Sequence, residues 1–181
     1  MRECLSLKNK CVNSAVYCPF ERKNTKIKLE RVTRMKIRKI KENKKQFLSL
    51  LLLADEQENM IDRYLERGTM YVLDDSGVKA ECVVTDEGNG ILEIKNIATV
   101  PEYQGKGYAK ALIDFIVKEY ADKYSVLQVG TGDSPLTVPF YEKCGFVRSH
   151  IIPNFFTDNY DRPIFECGDR LADMVIFQRN L

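Results

Sequence analysis

A mixed α/β domain, with a mostly antiparallel sheet and helices on both faces, is the fold class that the sequence predicts. Along residues 35–181, segments with strand alternation and segments with helical periodicity follow in the order β-α-α-β-β-β-α-β-α-β-β. Turn residues at 74–77 and 88–90 join three successive strands as hairpins. A helix then links the third of these strands to the strand that follows, as a parallel pair requires. A meander followed by a β-α-β unit predicts a mixed sheet with helices on both sides.

The first half of the domain begins with a clean alternation of apolar and polar residues at 35–40, which predicts a strand. Residues 43–54 carry apolar side chains on one helical face. Asp55 with Glu58 resembles a capping box, which starts a second helix that ends at Gly68. The three strands of the meander are predicted at residues 69–73, 78–85 and 91–100.

The second half opens with a strongly amphipathic helix predicted at residues 106–120 and a strand at 125–130. Ser134 and Pro135 match the N-cap and first position of the next helix, which ends at Gly145. The remaining segments are strands at 146–152 and 174–178 and, between them, a long irregular stretch at 153–173.

The composition limits the classes of protein to which the chain can belong. With 181 residues and 44% apolar side chains, the chain can build a packed core. The longest apolar block, at 50–54, falls far short of the ~20 residues of a membrane span, so no membrane partner is expected. The first twenty residues lack a secretory pattern, which favours a cytoplasmic protein. Six cysteines without CxxC spacing and a single histidine predict no metal site.

The charge is distributed unevenly along the chain. Residues 1–45 hold 15 Lys and Arg against 4 Asp and Glu, whereas the remainder holds 13 against 22. Together with the weak periodicity of residues 1–34, this predicts a boundary near Met35. We expect a basic, mobile extension at 1–34 and a domain at 35–181. Alternatives for the extension are a nucleic-acid-binding arm and a wrongly assumed start of translation.

The run from Val100 to Leu112, VPEYQGKGYAKAL, places two glycines directly before a helix. Backbone N–H groups converge at a helix N-terminus and favour negative charge there, which is typical of a phosphate site. Gly105 and Gly107 leave room for a phosphate beside the backbone, and Lys106 lies at the rim. The run matches neither the nucleotide P-loop nor the three-glycine dinucleotide fingerprint. On spacing alone, the alternative is a pair of glycines that only tightens a turn.

Two motifs together resemble the GNAT superfamily of N-acetyltransferases, of the small bacterial, acetyl-CoA-dependent type. Gln104-x-x-Gly107-x-Ala109 is similar to the family's Q/R-x-x-G-x-G/A motif. Residues 140–146, FYEKCGF, resemble the family's F-Y-E-K-x-G-F block. The resemblance covers residues 35–181, and the family's order of elements agrees with the predicted one.

The resemblance implies that acetyl-CoA is the acetyl donor. Loop amides would hold the pyrophosphate, and the strand segment before the loop would pair with the pantetheine arm through its backbone. Gly130-Thr131-Gly132 would permit the strands to separate there. The residues implied to bind the coenzyme are Ile97, Ala98, Thr99, Gln104, Gly105, Lys106, Gly107, Tyr108, Ala109 and Ser134, the last of which is also a helix-cap candidate.

Acetyl transfer to an amine requires that the amine lose a proton, that the oxyanion be stabilised and that the thiolate leave. By resemblance, Tyr141 would donate a proton to the coenzyme A sulfur; the alternative is a tyrosine that only packs in its helix. Glu93 would be the general base, acting through water; the alternative is a strand glutamate paired with Lys95. Cys144 is interpreted as a buried thiol, because the family transfers the acetyl group directly. His150 is interpreted as non-catalytic, because it is the single histidine and lies close to a strand end.

The acetyl acceptor is predicted to be a primary amine on a cationic small molecule or peptide. The stretch at 154–166 offers aromatic and acidic side chains, and the domain carries an excess of negative charge. The alternatives for this stretch are a structural lid and a homodimer contact. Two other functions stay open: a GNAT-like module that binds coenzyme without catalysis, and nucleic-acid binding through the basic extension, which no groove-reading motif supports.

Overall fold

The computed structural model describes residues 35–181, and the predicted extension at 1–34 lies outside this range. The strands are β1 (Lys36–Ile40), β2 (Thr69–Asp74), β3 (Val78–Gly88), β4 (Ile91–Thr99), β5 (Val126–Thr131), β6 (Val147–Ile152), β7 (Phe165–Glu166), β8 (Asp169–Arg170) and β9 (Met174–Asn180). The helices are α1 (Leu48–Leu51), α2 (Glu58–Asp62), α3 (Tyr108–Tyr120), α4 (Val138–Lys143) and α5 (Phe155–Asn159), with 3-10 turns at Lys44–Phe47 and Pro101–Tyr103.

Seven strands form one sheet in the order β1-β2-β3-β4-β5-β9-β6, and β7 and β8 form a separate hairpin. Within the described range β4 and β5 are the parallel pair of this sheet, and its other neighbours are antiparallel. The α3 crossover explains the parallel pair, because strands that run in the same direction cannot be joined by a tight turn. The predicted fold class, a mixed and mostly antiparallel sheet with helices, is confirmed.

Each face of the sheet has its own apolar core. On one face, which we call the α3 face, helices α3 and α4 pack on alternate strand residues, with Leu112, Ile113 and Phe177 fully buried. On the other, the α1–α2 face, Leu51 and Ile61 pack on a smaller set of strand side chains. None of the helices between residues 35 and 181 is long and apolar enough to cross a membrane.

A β-bulge in β4 determines which of its side chains share a face. Val83 of β3 pairs with Asn96 and Val84 with Ile94, so Lys95 has no partner in the β3 register. The extra residue reverses the alternation at that point. Glu93, which would otherwise point the same way as Ile97, therefore shares the α1–α2 face with Asn96.

Two predicted helix starts are wrong. Glu58 does begin α2, but its N-cap is Gln57 and no side chain caps the helix, so the Asp55 capping box does not form. Helix α4 begins at Val138 rather than at Pro135. Ser134 is buried, and its Oγ accepts a hydrogen bond of 3.1 Å from the amide of Leu136, which makes a local turn instead of a cap.

Other boundaries also differ from prediction. The single helix predicted at 43–54 consists of a 3-10 turn followed by the short α1. Helix α3 begins at Tyr108, because Gly107 adopts a left-handed conformation that helical residues do not adopt. The stretch predicted as irregular at 153–173 contains α5 and the β7–β8 hairpin.

Lys44 is a buried lysine that binds backbone carbonyl groups in the segment between α2 and β2. Its Nζ donates hydrogen bonds to the carbonyl oxygens of Leu65, Glu66 and Gly68, at 2.7, 2.9 and 2.8 Å. These carbonyls lie at the end of a helical turn, where no further backbone N–H group follows to pair with them. The ammonium therefore replaces the missing backbone donors and ties the start of α1 to the start of β2.

We predict that Lys44→Met lowers the free energy of unfolding by about 2–4 kcal/mol, because it leaves buried carbonyls without donors. Urea unfolding followed by circular dichroism measures the change. The matched control is Lys45→Met, since Lys45 is exposed and pairs with Glu58 and Asp62 on the surface, so that little change is expected. Equal effects of the two substitutions would contradict the role assigned to Lys44.

Candidate active site

The two parallel strands separate half-way along β4. Their pairing runs from Ile91–Val126 to Ile94–Val129 and then stops. Beyond that point β4 stays paired with β3 as far as Thr99, and β5 stays paired with β9 as far as Thr131. The result is a wedge-shaped gap in the middle of the sheet, lined by backbone groups that have no strand partner across it.

A cavity of about 680 Å³ runs through this gap. Its wall includes β4 residues 93–99, Gln104, the end of β5, and Tyr141 from the α3 face. It also includes the α1–α2 loop, α5 and the β7–β8 hairpin on the other side. The cavity therefore connects the two faces of the sheet, as a site that joins two substrates must.

The glycine loop, residues 104–109, begins at the cavity wall, which Gln104 lines. Gly105 and Gly107 have φ values of +72° and +88°, and a Cβ placed on either would meet no described atom within 4 Å. Gly107 is the N-cap of α3, so the amides of Ala109 and Lys110 precede the first helical hydrogen bond, which Ala111 donates to Gly107. Open space beside amides without helical partners is the arrangement that a phosphate requires at a helix N-terminus.

Lys106 does not point a free charge into the loop. Its Nζ donates to the carbonyl of Glu102 at 2.8 Å and lies 4.7 Å from the centre of the Tyr103 ring. Gln104 donates through Nε2 to the carbonyl of Thr99 at 3.3 Å, so it braces the loop against the end of β4. The backbone, rather than the lysine, forms the concave surface.

The structure brings together four of the residues predicted to bind the coenzyme, because Ile97, Ala98, Thr99 and Gln104 line the cavity. The next five residues continue the chain just beyond the wall, and Ser134 does not line it. The side chain of Tyr108 is turned inward, where its hydroxyl donates to Asp75 at 2.7 Å.

Gly130 is needed for packing rather than for the opening of the strands. A Cβ on it would collide with the side chain of Met174, and one on Gly132 would lie 2.5 Å from Leu171. These glycines let Leu171 and the first residue of β9 lie close against the end of β5. The gap itself arises because β4 and β5 each keep their outer partner strand.

Tyr141 is buried on α4 among aromatic rings. Its ring lies 5.8 Å from that of Phe146 and 6.2 Å from that of Phe177. It lines the cavity, and no other described residue hydrogen-bonds to its hydroxyl. Burial raises the pKa of this phenol well above its usual range, so the group stays protonated and can donate a hydrogen bond.

Glu93 belongs to a polar row that crosses the sheet on the α1–α2 face. Its carboxylate accepts from Lys95 at 2.7 Å and from Gln128 at 2.9 Å, and Gln128 in turn accepts from Gln178 at 2.8 Å. The side chain of Glu93 is 12% exposed and lines the cavity. The predicted base therefore has a salt-bridge partner, Lys95, and also reaches the site.

Asp55, which the sequence suggested only as a helix cap, is part of the site. It is buried in the α1–α2 loop and lines the cavity. Its two oxygens accept hydrogen bonds from the hydroxyls of Tyr64 at 3.3 Å and Tyr160 at 3.1 Å. Burial raises the pKa of this carboxyl, and the bonds from Tyr160, Gln57 and Tyr64 oppose the shift.

Glu81 is a second carboxyl that sequence reasoning missed. It lies on β3 directly opposite Ala98, on the α1–α2 face, and it is fully buried. Neither of its oxygens has a hydrogen-bond partner of normal geometry among residues 35–181. Burial raises its pKa to about 8, and the backbone N–H of Ala98 offsets only part of this effect. Its position in the apolar pattern of β3 gave no indication of this.

Neither His150 nor Cys144 lines the cavity. His150 is exposed on the edge strand β6, and Cys144 is buried at the end of α4. The interpretation of Cys144 as a buried thiol is confirmed.

The comparisons with known proteins agree with this geometry. The GNAT acetyltransferase domain, as a sequence family, matches residues 66–148. An uncharacterized N-acetyltransferase of Bacillus subtilis, YvbK, is 36% identical over 137 residues, which are 74% of this chain and 88% of that protein.

Solved structures give the same result. A GNAT acetyltransferase from Elizabethkingia anophelis with acetyl-CoA bound superposes with a TM-score of 0.78 at 32% identity, over 82% of this chain and 99% of that one. A Bacillus subtilis acetyltransferase in complex with CoA gives 0.74 at 34% identity, over 81% of this chain and 99% of that one.

The separated strands, the glycine loop and the shared cavity define an acyl-CoA N-acyltransferase fold. The chain belongs to the GNAT acetyltransferase family, and it is an acyltransferase that acts on an amine-bearing substrate.

We predict that Glu81 makes the fold less stable as the pH rises. The folded state holds a proton up to a pKa of about 8, whereas the unfolded state releases it near 4.5. Between these two values the folded state binds more protons, so the free energy of unfolding falls by about 1.4 kcal/mol per pH unit through this group. Glu81→Gln removes that dependence.

Urea unfolding of both proteins at pH 5.5, 6.5 and 7.5 checks the prediction. The free energy of unfolding of Glu81→Gln, relative to that of the native chain, should increase with each rise in pH. Parallel pH profiles would show that Glu81 is not protonated in the folded state.

Proposed function

We propose that this chain transfers the acetyl group of acetyl-CoA directly onto a primary amine of a cationic small molecule or peptide. The observation that carries the proposal is the gap between β4 and β5. It opens one cavity to Gln104 at the start of the glycine loop and to Tyr141 on the α3 face. The same cavity includes a chamber on the α1–α2 face, which is the part lined by the α1–α2 loop, α5 and the β7–β8 hairpin and which carries acidic and aromatic side chains.

The residues present fit a coenzyme A thioester. The loop offers amides beside glycines with open space, which suits a pyrophosphate. The segment Ile97–Thr99 lacks a strand partner on the β5 side, which suits the amides of pantetheine. Two of the similar solved structures hold acetyl-CoA or CoA. When bound, acetyl-CoA supplies an activated acetyl thioester.

We assign the coenzyme contacts to the backbone of Ile97–Thr99 and of the loop from Gln104 to Ala109. Lys106 contributes through its backbone, because its ammonium is held by Glu102 and Tyr103. Ser134 is left out of this set, because its hydroxyl oxygen accepts from Leu136 and it does not line the cavity.

Two side chains would transfer protons during the reaction. Tyr141 keeps its hydroxyl hydrogen, since burial raises its pKa, and it donates to the leaving sulfur. Glu93 receives the proton of the amine through a water molecule, while Lys95 and Gln128 hold its carboxylate in place. Both residues line the same cavity, so neither needs a large movement.

We predict that Gly107→Asp weakens the binding of acetyl-CoA at least about 100-fold. The added carboxylate would occupy the open space of the loop and repel the pyrophosphate. Isothermal titration calorimetry with acetyl-CoA measures the change.

Gly168→Asp is the matched control, because Gly168 has a φ of +90° and equally open surroundings but lies in the turn between β7 and β8 rather than in the loop before α3. Both substitutions strain the backbone by about 1–2 kcal/mol, so only the loop variant should lose binding. Unchanged affinity in Gly107→Asp would remove the phosphate role of the loop.

We further predict that Tyr141→Phe and Glu93→Gln each lower kcat by about 100-fold, because each loses one proton-transfer group. Release of the coenzyme A thiol is followed with a polyamine, an aminosugar, a lysine-containing peptide and an aromatic monoamine as acceptors. The affinity for acetyl-CoA should not change in either variant.

Full activity of both variants would contradict the assigned roles. Binding of acetyl-CoA without turnover of any acceptor by the native chain would instead favour a coenzyme-binding module without catalysis.

A further inference from the structure

The chamber on the α1–α2 face is walled mainly by apolar and aromatic side chains. Phe155, Phe156 and Tyr160 form a cluster with ring centres 5.4 to 6.4 Å apart. Met60 and Ile164 continue this wall. Such a surface favours an apolar or aromatic group, and it penalises hydroxyls or additional charges that would lose their water.

Four carboxylates line the cavity, and they differ in what surrounds them. Glu93 is paired with Lys95, Glu56 is exposed, and Glu166 is half-buried. Asp55 is buried and forms no salt bridge with a described residue. Among the four it is the buried one, so its charge is the least screened by water.

Asp55 has one acceptor position left for a ligand. A carboxylate offers about four acceptor positions. Three are used, by the hydroxyls of Tyr64 and Tyr160 and by the amide of Gln57 at 3.4 Å. Because Asp55 lines the cavity, the remaining position is available to a donor that enters there.

The carboxylate is held from both sides of the chamber. Tyr64 accepts a 2.9 Å hydrogen bond from Nδ2 of Asn96, the residue before Ile97 on β4. Tyr160 belongs to the opposite wall, which is fixed to the α1–α2 side by a bond of 2.9 Å from Arg63 to Asn159. The Tyr64 hydroxyl therefore links Asp55 by hydrogen bonds to Asn96 on β4, the strand that is proposed to bind the coenzyme.

We infer that Asp55 binds the ammonium group of the acetyl acceptor, and that the acceptor is a primary amine with a single positive charge on an aromatic or apolar stem. The inference rests on the proposed function and narrows its substrate class. Tyr64 and Tyr160 orient the carboxylate, and the rings of Phe155 and Phe156 receive the stem. Arg63 is the competing feature, because its guanidinium lies near Asp55 and lines the same cavity. Two other cations of the cavity wall, Arg67 and Lys95, form salt bridges with Glu87 and Glu93.

Three probes with the same phenylethyl stem test the inference by calorimetry on the full chain with coenzyme A present: 2-phenylethylamine, 2-phenylethanol and 3-phenylpropionate. The amine should bind at least about tenfold more tightly than the alcohol, and the carboxylate least tightly. Asp55→Asn should abolish the preference for the amine and leave the affinity for the alcohol unchanged. Glu56→Gln is the matched control and should keep the preference.

Equal binding of the three probes, or no binding of the amine, would overturn the inference, and this comparison needs no variant. Preference for 3-phenylpropionate would show that Arg63 governs the chamber. If folded Asp55→Asn still prefers the amine over the alcohol, the role assigned to Asp55 is wrong. Tighter binding of spermidine than of 2-phenylethylamine would overturn the substrate class.

Titration of acetyl-CoA alone separates this inference from the proposed function. Loss of the amine preference with acetyl-CoA binding intact refutes only the role of Asp55. Failure to bind acetyl-CoA refutes the proposed function, whereas the ranking of the three probes, repeated without coenzyme A, still tests the chamber.

Discussion

The end of the β4–β5 pairing at Ile94 and Val129 is the constraint on which the site depends. Two parallel strands that stop pairing leave backbone groups without partners, a state that a buried sheet ordinarily avoids. Here it persists because β3 and β9 hold the outer edges of the two strands well past the point of separation. The fold thus maintains an opening in its own sheet that a ligand with amide groups can fill.

The bulge at Lys95 has a second consequence for the site. Because it reverses the alternation within β4, the strand directs Ile97 toward the α3 face but Glu93 and Asn96 toward the α1–α2 face. One strand thereby contributes backbone to the proposed coenzyme segment and polar side chains to the chamber. The Glu93–Gln128–Gln178 row and the Asn96–Tyr64 bond both depend on that reversal.

Buried carboxyls give the α1–α2 face its chemical character. Burial raises the pKa of both Asp55 and Glu81, but their surroundings differ. Asp55 has hydroxyl donors and opens on the cavity, which suits it to meet a cation. Glu81 has neither a normal hydrogen bond nor access to the cavity, so its burial costs stability at alkaline pH. A protein keeps such a group at a cost that the rest of the core must offset.

The sequence alone determined the fold class, and it supplied the glycine loop and Tyr141 as candidates for the site, because hydrophobic periodicity and the two short motifs are local properties of the chain. It misplaced the caps at Asp55 and Ser134, since both patterns resemble helix starts and only packing decided against them. The bulge, the Lys95 partner of Glu93 and the Asp55–Tyr160 contact were decided by tertiary structure. The last joins residues 105 positions apart, and burial and hydrogen bonding at that separation depend on how the layers pack rather than on any local pattern.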